Sequence, residues 1–142
     1  MNTSAMPAAP AKPVPESSKV AQPYWDAAAK GQLVLQHCVE CGAVRHYPRL
    51  LCSICYSDSA IFKPATGRGK VHSWTVAHHA FHPAFAPDLP YTLVTVDLDE
   101  GVRALGRWHG VNTPIMDEPV LGKFEPRDGG VDLIFLPEKA QI

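Results

Sequence analysis

A chain of 142 residues has room for one ordinary domain, or for a small metal-stapled module joined to a modest barrel. Hydrophobic residues make up 46% and the formal charge is −1, so a real core is available and no global charge draws the protein to nucleic acid or a membrane surface. Residues 1–65 carry six Lys/Arg against four Asp/Glu and residues 66–142 carry seven against ten, and no apolar run approaches the roughly 18 residues of a membrane span.

Residues 1–22 hold a run of prolines, alanines and serines without an apolar period, which predicts a flexible tail that buries too little to offset its ordering entropy. The N-terminus lacks a long apolar stretch of the secretory kind, and a cytoplasmic location is expected. From Pro23 the character changes. Tyr24, Trp25, Ala27, Ala28, Ala29 and Lys30 are helix-compatible, with Pro23 suited to the start and Gly31 to the end. So short a helix cannot bury two adjacent aromatics by itself; one is expected to pack on its own domain, and Tyr24 and Trp25 are both candidate partner contacts.

Gln32–Gln36 reads as a strand entering Cys38-Val-Glu-Cys41-Gly42, and 45–49 as the return towards Cys52-Ser-Ile-Cys55. Two Cys-x-x-Cys pairs supply four thiolates in a tetrahedron, the pattern of a structural zinc site in a zinc ribbon. Gly42 suits the positive φ of such a knuckle, whereas Tyr56 at the matching place must turn without glycine. Disulfides are disfavoured without a secretory leader, and a redox dithiol needs only one pair; iron in the same four-sulfur cage is the alternative that spacing leaves standing. A module this small, residues 23–65, relies on metal in place of a core.

After the turn at 66–69 the chain reads as all-β. Runs at 70–76, 91–98, 102–108, 120–124 and 131–136 are β-rich and separated by Gly, Pro, Asp and Asn. Val102, Ala104 and Gly106 alternate with Arg103, Leu105 and Arg107, and tight hairpins are expected at 99–101 and 127–130. Five short strands so connected predict a closed OB-type barrel over residues 66–138, with 139–142 as a tail.

The string from Tyr24-Trp25 through Cys38-x-x-Cys41-Gly42, Pro48-Arg49 and Cys52-x-x-Cys55 continues with Gly67-x-Gly69-x-Val71-x-Ser73-Trp74-Thr75, Pro90-Tyr91 and the run Val96 to Arg103. In this order the features resemble the acyl-CoA-associated zinc-ribbon/OB-fold family catalogued as domain of unknown function thirty-five, over residues 23 to 137. The chain departs from the family's habit in having Ser53 where proline is common and Tyr47-Pro48-Arg49 where Pro-Pro-Arg is, changes that touch knuckle packing more than metal binding. The resemblance implies a mainly β protein: a short N-terminal helix, a rubredoxin-like zinc ribbon and a five-stranded OB barrel. It further implies an auxiliary subunit that binds acyl-CoA or scaffolds a thiolase-like or hydratase-like enzyme in a hetero-oligomer, the partner carrying the nucleophilic chemistry.

Metal ligands are therefore expected at Cys38, Cys41, Cys52 and Cys55, with structural zinc as cofactor and a coenzyme A thioester as candidate ligand. Arg45, Arg49, Arg68 and Lys70 are candidates for its phosphates, because guanidinium forks match phosphate geometry. Arg103 and Arg107 are placed either in the same role or paired with Asp97 and Glu125. The loop 78–90 is expected to be a long connection offering Phe81 and Phe85 to a partner or ligand. His72, His78, His79, His82 and His109 are read as ordinary polar residues, since proline interrupts any helical spacing among them. Catalysis by the chain alone has no nucleophile motif behind it, and a four-thiolate zinc lacks an open position. Single-stranded nucleic-acid binding is the alternative that OB folds suggest, opposed by the acidic balance of residues 66–142.

Overall fold

A computed structural model describes residues 10–141. Residues 1–9 of the expected tail, and Ile142, lie outside the described residues.

Helix α1 spans Gln22–Ala29, with proline in its first turn, and it closes where Lys30 and Gly31 donate to the Ala27 and Ala28 carbonyls. Its single buried stripe is Tyr24 and Ala28, four residues apart and so on one face. The chain then enters a three-stranded sheet ordered β2-β1-β3, with β1 at Val34–Cys38, β2 at Val44–Arg45 and β3 at Ala60–Pro64. The return strand is shorter than the sequence suggests: β2 pairs with β1 only through Gln36↔Arg45 and His37↔Val44, after which the chain bends away. The exit segment, read from sequence as a simple lead-out, is a strand in its own right and pairs with β1 over five residues.

The second unit is a closed barrel of β4 (Arg68–Ala77), β5 (Tyr91–Leu98), β6 (Arg103–Trp108), β7 (Pro119–Arg127) and β8 (Gly130–Pro137), ordered β4-β5-β6-β8-β7. All neighbours are antiparallel except β6 and β8, which meet as Arg107↔Ile134 and Trp108↔Phe135. The expected alternation on β6 is present, with Ala104 and Gly106 buried between exposed Arg103 and Leu105. Both hairpins form where sequence places them: Gly101 donates to the Leu98 carbonyl, and Arg127 pairs with Gly130 across Asp128-Gly129. The 78–90 connection contains a short 3₁₀ segment, Pro83–Asp88.

Phe135 is the barrel's centre, fully buried. A methyl group on either Gly106 or Gly122 would stand 2.6 Å from its ring, so the two glycines form the slot through which the ring passes. Val71, Val94, Val96, Leu98, Ala104 and Val120 surround it. Tyr24, Leu33, Val34 and Leu35 belong to the same buried cluster, so helix, ribbon and barrel share one continuous core.

Candidate metal centre and junction cleft

The two knuckles repeat one local geometry. In the first, Cys38 N–H donates to Ala43 O and Gly42 N–H donates back to Cys38 O; in the second, Cys52 N–H donates to Ser57 O and Tyr56 N–H to Cys52 O. The left-handed position falls on Gly42 at φ 76° and on Tyr56 at φ 61°. A bulky residue at that φ is strained by roughly 1–2 kcal/mol, and Tyr56 tolerates it with its ring in solvent.

The four sulfurs lie within 4.8 Å of one another, with Cys38 and Cys55 3.5 Å apart and Cys41 and Cys52 3.6 Å apart. A tetrahedron of sulfurs around zinc at about 2.3 Å has edges of about 3.8 Å, so the donor set fits that ion in size and chemistry. The backbone N–H of Cys41 lowers the Cys38 thiol, and those of Cys55 and Ile54 bring Cys52 down to about 6. The Ser57 N–H likewise favours ionised Cys55, but desolvation and three neighbouring sulfurs push that thiol up to about 12. A bound dication removes the conflict by stabilising all four thiolates. With four protein ligands it has no open position, and its chemistry is to hold two knuckles together. No second group of three or more His, Cys, Asp or Glu ligands forms among the described residues. His72 instead faces Asp97 and His109 faces Glu125, each at 3.2 Å, while His82 Nδ1 accepts from Ala84 N–H and His79 packs on Phe81.

The basic candidates separate. Arg45 is only 7% exposed; its Nε donates to Gln36 Oε1 at 2.8 Å and its terminal NH2 to Arg49 O. Gln36 Oε1 also accepts the Arg49 N–H, and its amide donates to Arg49 O. Arg45 thus fastens the 46–49 segment to β1, while its other terminal nitrogen is buried without a hydrogen-bond partner and the residue lines the polar hollow at the seam of ribbon and barrel. Nothing in the sequence marked Gln36 as its partner. The Arg49 side chain is exposed and borders a polar hollow of about 480 Å³ at the seam of ribbon and barrel, shared with His46, Ser53, Asp97 and Arg103. Arg68 reaches Glu138 at 3.4 Å, and Lys70 is exposed opposite Asp97; both lie outside that lining. Arg103 pairs with Asp97 as anticipated. Arg107 pairs with Asp88 instead of Glu125, and its guanidinium stacks 4.4 Å above the Tyr91 ring.

The aromatic candidates divide too. Tyr24 is 5% exposed, packed against Trp25, His46 and Phe124, and burial pushes its hydroxyl pKa up. It serves the junction, so as a partner contact it is corrected. Trp25 is half-buried and Phe85 half-buried against Tyr91, whereas Phe81 is 92% exposed. Trp25, Phe85, Tyr91, Leu93, Phe124 and Leu133 line an apolar cleft of about 350 Å³ between helix, ribbon and barrel, with Arg107 and Arg127 in its wall. No sequence signal marks this cleft, since its walls come from six separate elements. No helix among the described residues is long and apolar enough to cross a membrane.

Residues 25–59 match the ChsH2 rubredoxin-like zinc ribbon domain, and residues 62–124 match the ChsH2 C-terminal OB-fold domain. Among curated proteins the chain is 39% identical over 88 residues, 62% of its length, to a probable enoyl-CoA hydratase alpha subunit of Thermomonospora curvata. It is 30% identical over 101 residues, 69% of its length, to the 3-oxo-4,17-pregnadiene-20-carboxyl-CoA hydratase alpha subunit of Mycobacterium tuberculosis. It spans only 27% and 30% of those two proteins. A solved structure described as the Ltp2-ChsH2(DUF35) aldolase contains a chain that superposes with a TM-score of 0.79 at 31% identity, covering 87% of this chain and 98% of that one. A DUF35-family protein of unknown function from Sulfolobus solfataricus superposes at 0.59 with 9% identity, covering 86% of this chain and 87% of its own, a likeness of fold alone.

Proposed function

The chain belongs to the ChsH2-type zinc-ribbon/OB-fold family, DUF35, and from this we propose that it is an auxiliary subunit of an acyl-CoA-processing complex whose catalytic chain is a thiolase-like or hydratase-like partner. The observation that carries the reading is the match along 98% of a chain from an assembly described as an aldolase. The hydratase alpha subunits among its relatives point the same way. A closed four-thiolate centre is suited to shaping a subunit and unsuited to activating water or a carbonyl. Zinc is the metal this centre holds, and the cytoplasm is the compartment that keeps its thiols reduced.

Coenzyme A enters this reading through the seam hollow. Arg49 borders it and presents a guanidinium to a phosphate, Arg103 adds the terminal nitrogens left over from the Nε contact to Asp97, and Arg68 and Lys70 at the start of β4 are a weaker outer attraction. Nucleic acid is a poorer ligand, since residues 66–142 carry seven Lys/Arg against ten Asp/Glu. Calorimetric titration of the zinc-loaded chain with coenzyme A tests the proposal. Binding should weaken about tenfold in Arg49→Glu and in Arg103→Glu, the loss expected of one charge-assisted phosphate contact. Equal affinity in both variants would remove the hollow as the phosphate site.

A further inference from the structure

The segment just before helix α1 is seated on the barrel. Lys12 Nζ lies 2.7 Å from Asp88 Oδ2 and 5.4 Å from the centre of the Phe85 ring, so the 3₁₀ segment of the long loop gives it a carboxylate and an aromatic face together. One step along, Pro13 O accepts from an Arg127 terminal nitrogen at 2.9 Å. Pro15 then borders the mouth of the apolar cleft, and Val14 and Pro15 border a second hollow next to it, of about 410 Å³, that shares Trp25 and Val131 with the first. Of these four residues Pro15 alone lines the apolar cleft.

Its hold is light. Val14 remains 52% exposed, the Lys12 and Asp88 side chains are each about a quarter exposed, and Pro13 and Pro15 have no N–H to add to a ladder. Both anchors on the barrel are shared: Asp88 also holds Arg107, and Arg127 also holds Asp132. Releasing the segment therefore leaves each barrel residue with a partner. Beneath it the cleft has an apolar wall edged by Arg107 and by the Arg127–Asp132 pair, and release of Pro13 O frees an Arg127 terminal nitrogen for the anionic head of an apolar chain.

We propose that Lys12–Pro15 is a displaceable strap that controls entry to the aromatic cleft, and that the cleft takes an amphipathic ligand of apolar chain and anionic head. That this ligand is an acyl thioester rests on the function proposed above; the strap itself does not. A strap closed about nine-tenths of the time weakens apparent affinity about tenfold.

The test uses the full zinc-loaded chain, the variant Lys12→Glu, which sets two carboxylates against each other, and a triple variant Pro13→Gly, Val14→Gly, Pro15→Gly, which loosens the strap without a charge change. Trp25 borders the cleft, so acrylamide quenching, read in a background with both Trp74→Phe and Trp108→Phe, reports opening; decanoate and octanoyl-CoA are the ligand probes. Opening should increase quenching in both variants and tighten decanoate binding several-fold. Tightening of octanoyl-CoA in parallel identifies the ligand with the acyl thioester. If decanoate tightens while octanoyl-CoA binds no form of the protein, the strap and cleft stand and the acyl-CoA reading falls. Quenching and decanoate affinity unchanged in both variants, with zinc content and circular dichroism intact, would overturn the strap.

Discussion

In the ribbon, strands of five, two and five residues leave Leu50, Leu51, Ile54 and Tyr56 in solvent, while in the barrel Val71, Val94, Val96, Val120 and Phe135 are fully buried. The ribbon's own buried side chains, Leu33 to Leu35, face helix and barrel, so its outer end has sulfur where the barrel has hydrocarbon. One unit is closed by a coordination bond set and the other by apolar burial, and they meet in a shared core. Perturbations of the two units should therefore travel differently. Loss of metal should stop at the junction, whereas damage at Phe135 should not reach the thiolates.

The largest effect is expected from Cys38→Ala or Cys52→Ala. Binding of structural zinc in such sites is worth about 10–16 kcal/mol, nearly all of it folding energy of the module it closes. Amide spectra should show residues of the knuckles collapsing to unfolded positions while β4 to β8 keep their dispersion. Collapse of the barrel as well would make the two units one cooperative whole.

A smaller effect probes the junction by pH. Burial lowers the His46 pKa to about 4, from an ordinary 6.5. The unfolded chain therefore binds the proton more readily, so this group's stabilisation is complete above pH 6.5 and is lost as pH falls towards 4, by at most about 3 kcal/mol. Urea melts at fixed saturating zinc should show a shallower acid loss in His46→Leu. An unchanged pH slope would place the acid sensitivity in the thiolates alone.

Gly122→Ala aims at the barrel only. The added methyl meets the Phe135 ring, and overpacking of this kind costs about 2 kcal/mol. Thermal unfolding should drop while zinc stoichiometry stays at the wild-type value; zinc loss would show that the ribbon depends on barrel packing. The smallest change runs in the opposite direction: Tyr56→Gly relieves a left-handed position and should stabilise the loaded ribbon by about 0.5 kcal/mol after the entropy glycine adds to the unfolded chain. Destabilisation would mean that the exposed ring itself contributes packing.

The sequence carried the metal ligands and the barrel because both depend on local spacing. Two turns each bring a Cys-x-x-Cys pair to one point, and β5 begins and ends at Tyr91 and Leu98 as its apolar run does. Strand β3 was illegible, since Ile61 and Phe62 alternate too briefly and owe their conformation to pairing with β1. The pairing of Arg45 with Gln36 was illegible, because the partner is nine residues away and outwardly ordinary. The junction cleft and the Lys12–Asp88 contact join residues far apart in the chain, and no periodicity encodes them.

On the function proposed, a metal-closed ribbon and a barrel together form a surface for an enzyme partner. Native mass spectrometry of the complex purified from its host without chelators tests it most directly. One zinc per chain, together with a thiolase-like or hydratase-like subunit in fixed stoichiometry, is the predicted result. A metal-free chain, or a zinc-loaded chain that elutes alone at all concentrations, would contradict it.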